Sequence, residues 1–266
     1  MLLRFGKLHC LGDDLMLVER LTQQVHVDGP LIQQWGRRTQ GVGFRRLVLV
    51  DAPGHPEADF DCRSFDRKGM ELDSSFADLC AAVRWLHERQ LTNQPSLILQ
   101  TRAAQVPLHM RSDGWIAASY AADYLPAGET LPGELQQFLQ QLAARHELQL
   151  HWQLCGRQLQ LWCDRAPPAR LHRLMQPVAR LLRGWQLLWL HARDEQIRVQ
   201  GWQVEPEAGA HDPAWLIAGM ARRHQPHPAV RVEWQQECLL LESGLPENTF
   251  QLFARAAVAF EGQIHL

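Results

Sequence analysis

FDRKGMELDSSFADLCAAVRWLHERQL, residues 65–91, changes period halfway through. Up to Leu72 it is short, polar-interrupted and turn-rich, with Asp66 and Gly69 as turn formers at the end of a strand-like run, Phe60–Phe65. From Ser75 the apolar residues Phe76, Leu79, Cys80, Val83 and Leu86 recur at three- and four-residue spacing, which predicts one face of a helix. Asp73 and Ser74 are candidates to cap its first amides, and a serine at Ser75 is itself suited to that task. The switch from strand to capped, largely apolar helix makes this helix the expected centre of the N-terminal half.

Outward from this segment, strand-like runs alternate with helical ones. Leu3–His9, Leu15–Glu19 and Leu47–Asp51 precede it, with a helix expected over Leu31–Arg38 behind an Asp28 cap and Pro30 in its first turn. Strands are expected at Ser96–Thr101, Val106–Met110 and Trp115–Tyr120. Pro126–Pro132 reads as a linker. Beyond it come a helix over Gly133–Arg145, strands at Leu148–Gln153 and Gln158–Cys163, and a helical stretch over Pro168–Leu182 interrupted by Pro177. Strands follow at Gln186–His191 and Gln196–Gln203, then a short helix over Pro213–Arg223. Val230–Trp234, Cys238–Glu242 and a last run ending in Ile264-His265-Leu266 complete the set. Short, hairpin-linked strands around one apolar helix per half predict an α+β chain with mixed or antiparallel sheets, duplicated in structure without a visible sequence repeat. Trp185, Trp189 and Trp202 lie in apolar strands and are read as core.

Composition narrows the function. A formal net charge of −2 over 266 residues, with basic residues scattered, argues against a polyanion binder. Of 27 basic residues only Lys7 and Lys68 are lysines, and neither sits in a motif that would make a pyridoxal phosphate Schiff base. The six cysteines, Cys10, Cys62, Cys80, Cys155, Cys163 and Cys238, include no Cys-x-x-Cys pair. His224-x-x-His227 and His9-Cys10 fall short of the three or four ligands of a zinc site. No secretory leader is read before the first strand, and no apolar run reaches the ~18 residues of a membrane span. A cytoplasmic protein with reduced thiols, and no nucleic-acid or membrane partner, is expected.

Several motifs resemble the diaminopimelate epimerases. Lys7-Leu8-His9-Cys10-Leu11-Gly12-Asp13-Asp14 resembles that family's Lys-Met-His-Gly-Leu-Gly-Asn-Asp, and Gly41-Val42-Gly43-Phe44 its Gly-Val-Gly-Phe-Asp-Gln segment, with Arg45 and Arg46 in place of Asp-Gln. Phe65–Leu91 resembles the first catalytic segment without a gap, followed by Leu91-Thr92-Asn93. Likeness thins in the second half to Gln176-Pro177-Val178, Val230-Arg231-Val232-Glu233 and the terminal Gly262-Gln263-Ile264-His265-Leu266. The resemblance implies two pseudo-symmetric domains, residues 1–124 with 259–266 returning to them, and residues 125–258, each a mixed or antiparallel sheet curled around a central helix. It implies a site between the domains where two cysteines exchange the substrate's α-proton from opposite faces without a cofactor. It also implies an amino-acid-like ligand and a homodimer.

The residues at that site differ from the family's. Ser75-Phe76-Ala77-Asp78 stands where the resemblance implies Cys-Gly-Asn-Gly. A serine hydroxyl is too weak an acid to rest as an alkoxide without an activating base, and no Gly-x-Ser-x-Gly context surrounds Ser75. Phe76 adds bulk, and Asp78 adds negative charge near amides that would receive a carboxylate, although it suits the helix dipole in an empty site. The second cysteine position falls at Gly209 counting back from Val230, or at Asp212 counting forward from Ile197. Asp13, Arg46 and Asp66 replace asparagine, glutamine and asparagine. Gly156-Arg157-Gln158-Leu159 stands for Gly-Asn-Pro-His, and Glu205 or Glu207 for the second-domain glutamate. Two functions follow as expectations. One is an epimerase-like protein that has lost both thiols and serves in binding, assembly or regulation, paired with itself or with an active relative; here Phe76 and Trp215 would fill the old cleft. The other is a cofactor-independent isomerase of an amino-acid-like substrate that uses a carboxylate or histidine base among Asp73, Asp78, Glu205, Glu207, His211 and Asp212, in a cleft whose candidate residues also include Asp13 and Asp66.

Overall fold

A computed structural model describes residues 2–121, 129–155, 158–166, 173, 186–193, 196–203, 214, 217–219, 229–234, 236–243 and 249–265. In chain order its elements are β1 (Leu2–Cys10), β2 (Asp13–Glu19), α1 (Gly29–Trp35), β3 (Arg46–Asp51), β4 (Phe60–Asp66), β5 (Glu71–Leu72), α2 (Phe76–Glu88), β6 (Ser96–Gln100), β7 (Gln105–Met110) and β8 (Ile116–Ala121). They continue with α3 (Gly133–His146), β9 (Leu150–Cys155), β10 (Gln158–Cys163), β11 (Gln186–Arg193), β12 (Gln196–Gln203), β13 (Ala229–Trp234), β14 (Glu237–Ser243), β15 (Thr249–Ala254) and β16 (Ala257–His265). The chain is α+β, with extensive mixed sheet and few helices. No helix among the described residues is long and apolar enough to cross a membrane.

The chain divides into two compact units, Met1–Tyr120 with Gln251–Leu266, and Ala121–Phe250. In the first, the strand order is β16-β1-β2-β3-β4-β6-β7-β8, with β5 paired to β4. β2/β3 and β4/β6 are parallel, and β1/β2, β1/β16, β3/β4 and β6/β7 are antiparallel. Every residue of α2 from Phe76 to Val83 is buried, and so are Trp85 and Leu86. A helix apolar around its whole circumference must be enclosed on several sides, and α2 packs on β1, β2, β3, β4, β7 and β16. On the other face of the sheet, Leu3, Phe5, Met16, Val18, Leu47 and Leu49 join Ile32 and Trp35 of α1 in a second apolar cluster.

The second unit has the order β14-β13-β12-β11-β10-β9, parallel at β10/β11 and β12/β13. Leu139 and Leu142 of α3 pack with Leu154, Leu159, Leu161, Leu187 and Trp189. Trp189 is wholly buried, as read from the sequence; the side chains of Trp185 and Trp202 lie outside the described residues. The helical stretches expected over 168–182 and 213–223 lie largely outside them too; within these, Arg173, Ala214 and 217–219 are helical.

Several boundaries differ from expectation for local reasons. α1 ends at Trp35 rather than Arg38, because Gly41 folds back on the helix end so closely that a Cβ there would lie 2.4 Å from the Gln34 carbonyl oxygen. β2 starts at Asp13 rather than Leu15. Leu11 (φ 49°) and Gly12 (φ 75°) form a tight two-residue hairpin of the kind that needs positive φ at both positions, and it delivers Asp13 opposite Cys10. Of the three cap candidates of α2, Ser75 is the one that caps it, and Asp73 and Ser74 lie in the preceding turn. β5 and β15 were not anticipated; two residues of β5 give no periodicity to detect.

Candidate functional site at the start of the buried helix

β4 and β5 lead the chain into α2 through Asp73 and Ser74, and Ser64 Oγ holds the turn by donating to Ser74 Oγ (2.9 Å). Ser75 then adopts extended backbone (φ −78°, ψ 164°) as the N-cap. Its Oγ accepts from the Asp78 amide at 3.2 Å, while Asp78 Oδ2 accepts from the Ser75 amide at 2.8 Å. This reciprocal capping box satisfies two of the donors that a helix start leaves open. Among the described residues no histidine touches Ser75, so its hydroxyl is a cap without an activating base.

Asp78 does more than cap. Its side chain is fully buried, and Oδ2 also meets Arg46 Nη2 at 2.6 Å. Arg46 reaches over from β3 and donates from the same Nη2 to the Asp73 carbonyl at 2.7 Å. Asp73 is in turn paired with Arg102 at 2.8 Å. Asp78 Oδ1 has no hydrogen-bond partner among the described residues. Phe76, wholly buried, stacks edge-to-face on Tyr120 with ring centroids 6.3 Å apart.

The β1–β2 hairpin adds Asp13, whose carboxylate pairs with Arg45 at 3.2 Å. Burial pushes the Asp13 carboxyl above its usual range. Arg45 and Arg46 pull it back down, and Asp78 and Asp14 raise it again. Asp14 is held by Lys7 and by Arg38 at 2.9 Å. Asp13, Arg46, Ser75, Phe76 and Asp78 are therefore brought to one end of α2. Asp66 lies opposite Arg46 in the β3–β4 ladder, but its Oδ1 is spent on the amides of Lys68 and Met70 at 2.9 and 2.8 Å. It organises a turn. Glu205, Glu207, Gly209, His211, Asp212, Gly156, Arg157 and Trp215 lie outside the described residues.

One neighbour escaped the sequence reading. Cys62 of β4 lies close enough to the site to sense Asp78 and Arg46, and burial pushes its thiol up to about 12. A thiol in that range carries almost no thiolate at neutral pH and cannot act as a proton-abstracting base. Its inward-facing position in β4 was legible, but its nearness to the start of α2 follows only from the strand order. None of the six cysteines forms a disulfide, and all but Cys238 are buried. The charges at this end of α2 are matched by arginine–carboxylate pairs, Arg46 with Asp78 and Arg45 with Asp13.

No protein-family model matches the chain. It is 39% identical over 116 residues to a diaminopimelate epimerase of Acinetobacter baumannii, covering 44% of this chain and 41% of that protein. It is 33% identical over 129 residues to one of Pseudomonas aeruginosa, covering 48% and 47%. The chain thus spans somewhat under half the length of the curated relatives it matches. Among solved structures it superposes over its whole length on a PhzF-family phenazine biosynthesis protein of Enterococcus faecalis (TM-score 0.69, 11% identity, 100% of both chains). It also superposes on a predicted epimerase of Pseudomonas aeruginosa (TM-score 0.65, 14% identity, 99% of both). At such identities the superpositions establish the fold. By sequence this chain is similar over part of its length to curated diaminopimelate epimerases at 33–39% identity, and its fold is the one shared by the PhzF-family protein and the predicted epimerase.

Proposed function

We propose that this chain is a diaminopimelate epimerase-like protein that no longer inverts a stereocentre through paired thiols and works as a non-catalytic binding, assembly or regulatory partner. Support comes chiefly from one observation. The residue at the family's first cysteine position, Ser75, is engaged in a closed capping box with Asp78, and Asp78 is itself neutralised by Arg46. A base that took a proton from a substrate carbon there would need a free lone pair of matched basicity. The capping hydroxyl has no activating base among the described residues, the Asp78 carboxylate is ion-paired through Oδ2 with Arg46, and burial pushes the Cys62 thiol nearby up to about 12. In this reading the two units are pseudo-symmetric halves, the protein is cytoplasmic, and its partner is a second copy or an active relative. The test is α-proton exchange into deuterated water with diaminopimelate, followed by NMR. No exchange above the buffer rate is expected; exchange at enzyme-like rates would overturn the reading.

A second reading is favoured by Asp13 alone. An acid raised by burial beside two arginines suits proton transfer to a ligand that carries its own carboxylate. Solved neighbours of this fold include a hydroxyproline epimerase and a methylitaconate-delta-isomerase. On this reading the chain is a cofactor-independent isomerase of an amino-acid-like acid. Exchange with such a substrate that is abolished by Asp13→Asn would support it, and exchange unaffected by that change would count against it.

A further inference from the structure

The Arg46–Asp78 contact exceeds what a capping box requires. An acidic residue at the third helical position ordinarily stands at the surface, where it reaches back to the cap amide and stays hydrated. Here the carboxylate is fully buried and takes an amide and a guanidinium on the same oxygen, the guanidinium coming from a strand 32 positions earlier in the sequence. An amide at a helix start together with an arginine makes a carboxylate receptor: the helix end favours negative charge, and guanidinium N–H groups match carboxylate oxygens. A buried ion pair gives little net stability over an apolar pair of the same volume. Its placement therefore points to occupancy, with the chain filling a receptor of its own making.

We propose that Asp78 is a built-in ligand, a carboxylate that the chain seats in its own carboxylate receptor formed by the Ser75 amide and Arg46, so that no free amino acid can be held there. This rests on the reading of a site withdrawn from catalysis and goes further by naming what fills it. A tethered carboxylate is present at an effective concentration far above that of any free ligand, so it excludes competitors without needing high intrinsic affinity. Phe76 beside it and the buried wall of α2 keep water from taking its place. Asp13 and Cys62 also lie within electrostatic reach of this charge.

The experiment is chemical rescue. Asp78→Ala removes the tethered carboxylate and leaves the receptor. Sodium acetate is expected to raise the unfolding midpoint of this variant in a saturable way, beyond the effect of sodium chloride at the same ionic strength. The unaltered protein should show no difference between the two salts, and adding Arg46→Met to Asp78→Ala should erase the acetate effect. Acetate acting no more than chloride on Asp78→Ala, or acting equally on the unaltered protein, would overturn the proposal. If Asp78→Ala does not fold in either salt, Asp78→Asn decides, since it preserves volume while removing the charge that Asp78 sets against Arg46. Phenylglyoxal labelling mapped to Arg46 by peptide mass spectrometry should then rise several-fold over the unaltered protein, and equal labelling would overturn the proposal. Proton exchange by the unaltered protein would defeat the functional reading without touching these outcomes.

Discussion

Gly6 of β1 lies against the indole of Trp85 on α2, so near that a Cβ at Gly6 would fall 2.6 Å from Trp85 Cζ3. Trp85 is 2% exposed and packed too tightly to yield. Gly6→Ala is therefore expected to destabilise the protein by about 1–3 kcal/mol through overpacking. Urea unfolding with an unchanged m-value checks it, and a neutral result would mean the helix can shift on its sheet.

Breaking the buried ion pair from one side should be far worse than removing it from both. Arg46→Met leaves Asp78 charged and buried, and a loss of about 3–5 kcal/mol is expected. Arg46→Met combined with Asp78→Asn should recover a substantial part of that loss in a double-mutant cycle, because no uncompensated charge remains. Additive losses would show that the two side chains do not depend on each other.

Ser75→Ala should cost about 1 kcal/mol, the usual loss of a helix cap, seen as a lower unfolding midpoint. Ser75→Cys is expected to create no proton exchange with diaminopimelate, since the cap amide remains taken by Asp78. Exchange by the cysteine variant would mean that one thiol suffices.

Thiol accessibility should follow burial. Of six cysteines, Cys238 is the one not fully buried, while Cys62 and Cys163 are pushed up by burial to about 12 and about 11. Native protein at pH 8 should react with Ellman's reagent quickly at no more than one site, and at all six after denaturation. Rapid native labelling of Cys62 or Cys80 would show that the first unit opens around α2.

His87, near the end of α2, has its pKa lowered from 6.5 by burial, with Arg84 adding to the shift and a backbone hydrogen bond at Gln94 opposing it. The unfolded chain then takes up this proton before the folded one does. The contribution is intact above about pH 6.5 and is lost as pH falls below that towards the depressed folded value. Replacing His87 with Gln should flatten this part of the profile when melting temperatures are compared between pH 5 and 8. Parallel profiles would contradict it.

Much of this could be read from residue order because local chemistry and tertiary context agree. α2 was visible because its apolar spacing, serine cap and lack of Gly or Pro all point to one element. Asp13, Arg46, Ser75 and Asp78 were gathered as one site through motif likeness. What stayed hidden was pairwise geometry. Arg46 and Asp78 are 32 positions apart, and nothing in either neighbourhood says that one neutralises the other. Asp66 is a ligand position by resemblance, standing where the family has asparagine, yet the turn it begins consumes its carboxylate. Cys62 looked like ordinary core because sequence gives alternation along a strand but not which strand lies next to it.

The pairing of β1 with β16, Leu2 facing His265, sets an order of assembly. β1 is translated before the second unit, yet its outer neighbour β16 is translated only after it. Until then β1 has one flank unsatisfied and its glycine at position 6 uncovered by a finished sheet. Nascent chains should accordingly stay protease-sensitive at β1 until β16 is made, and a premature stop anywhere in the second unit should cost the integrity of the first.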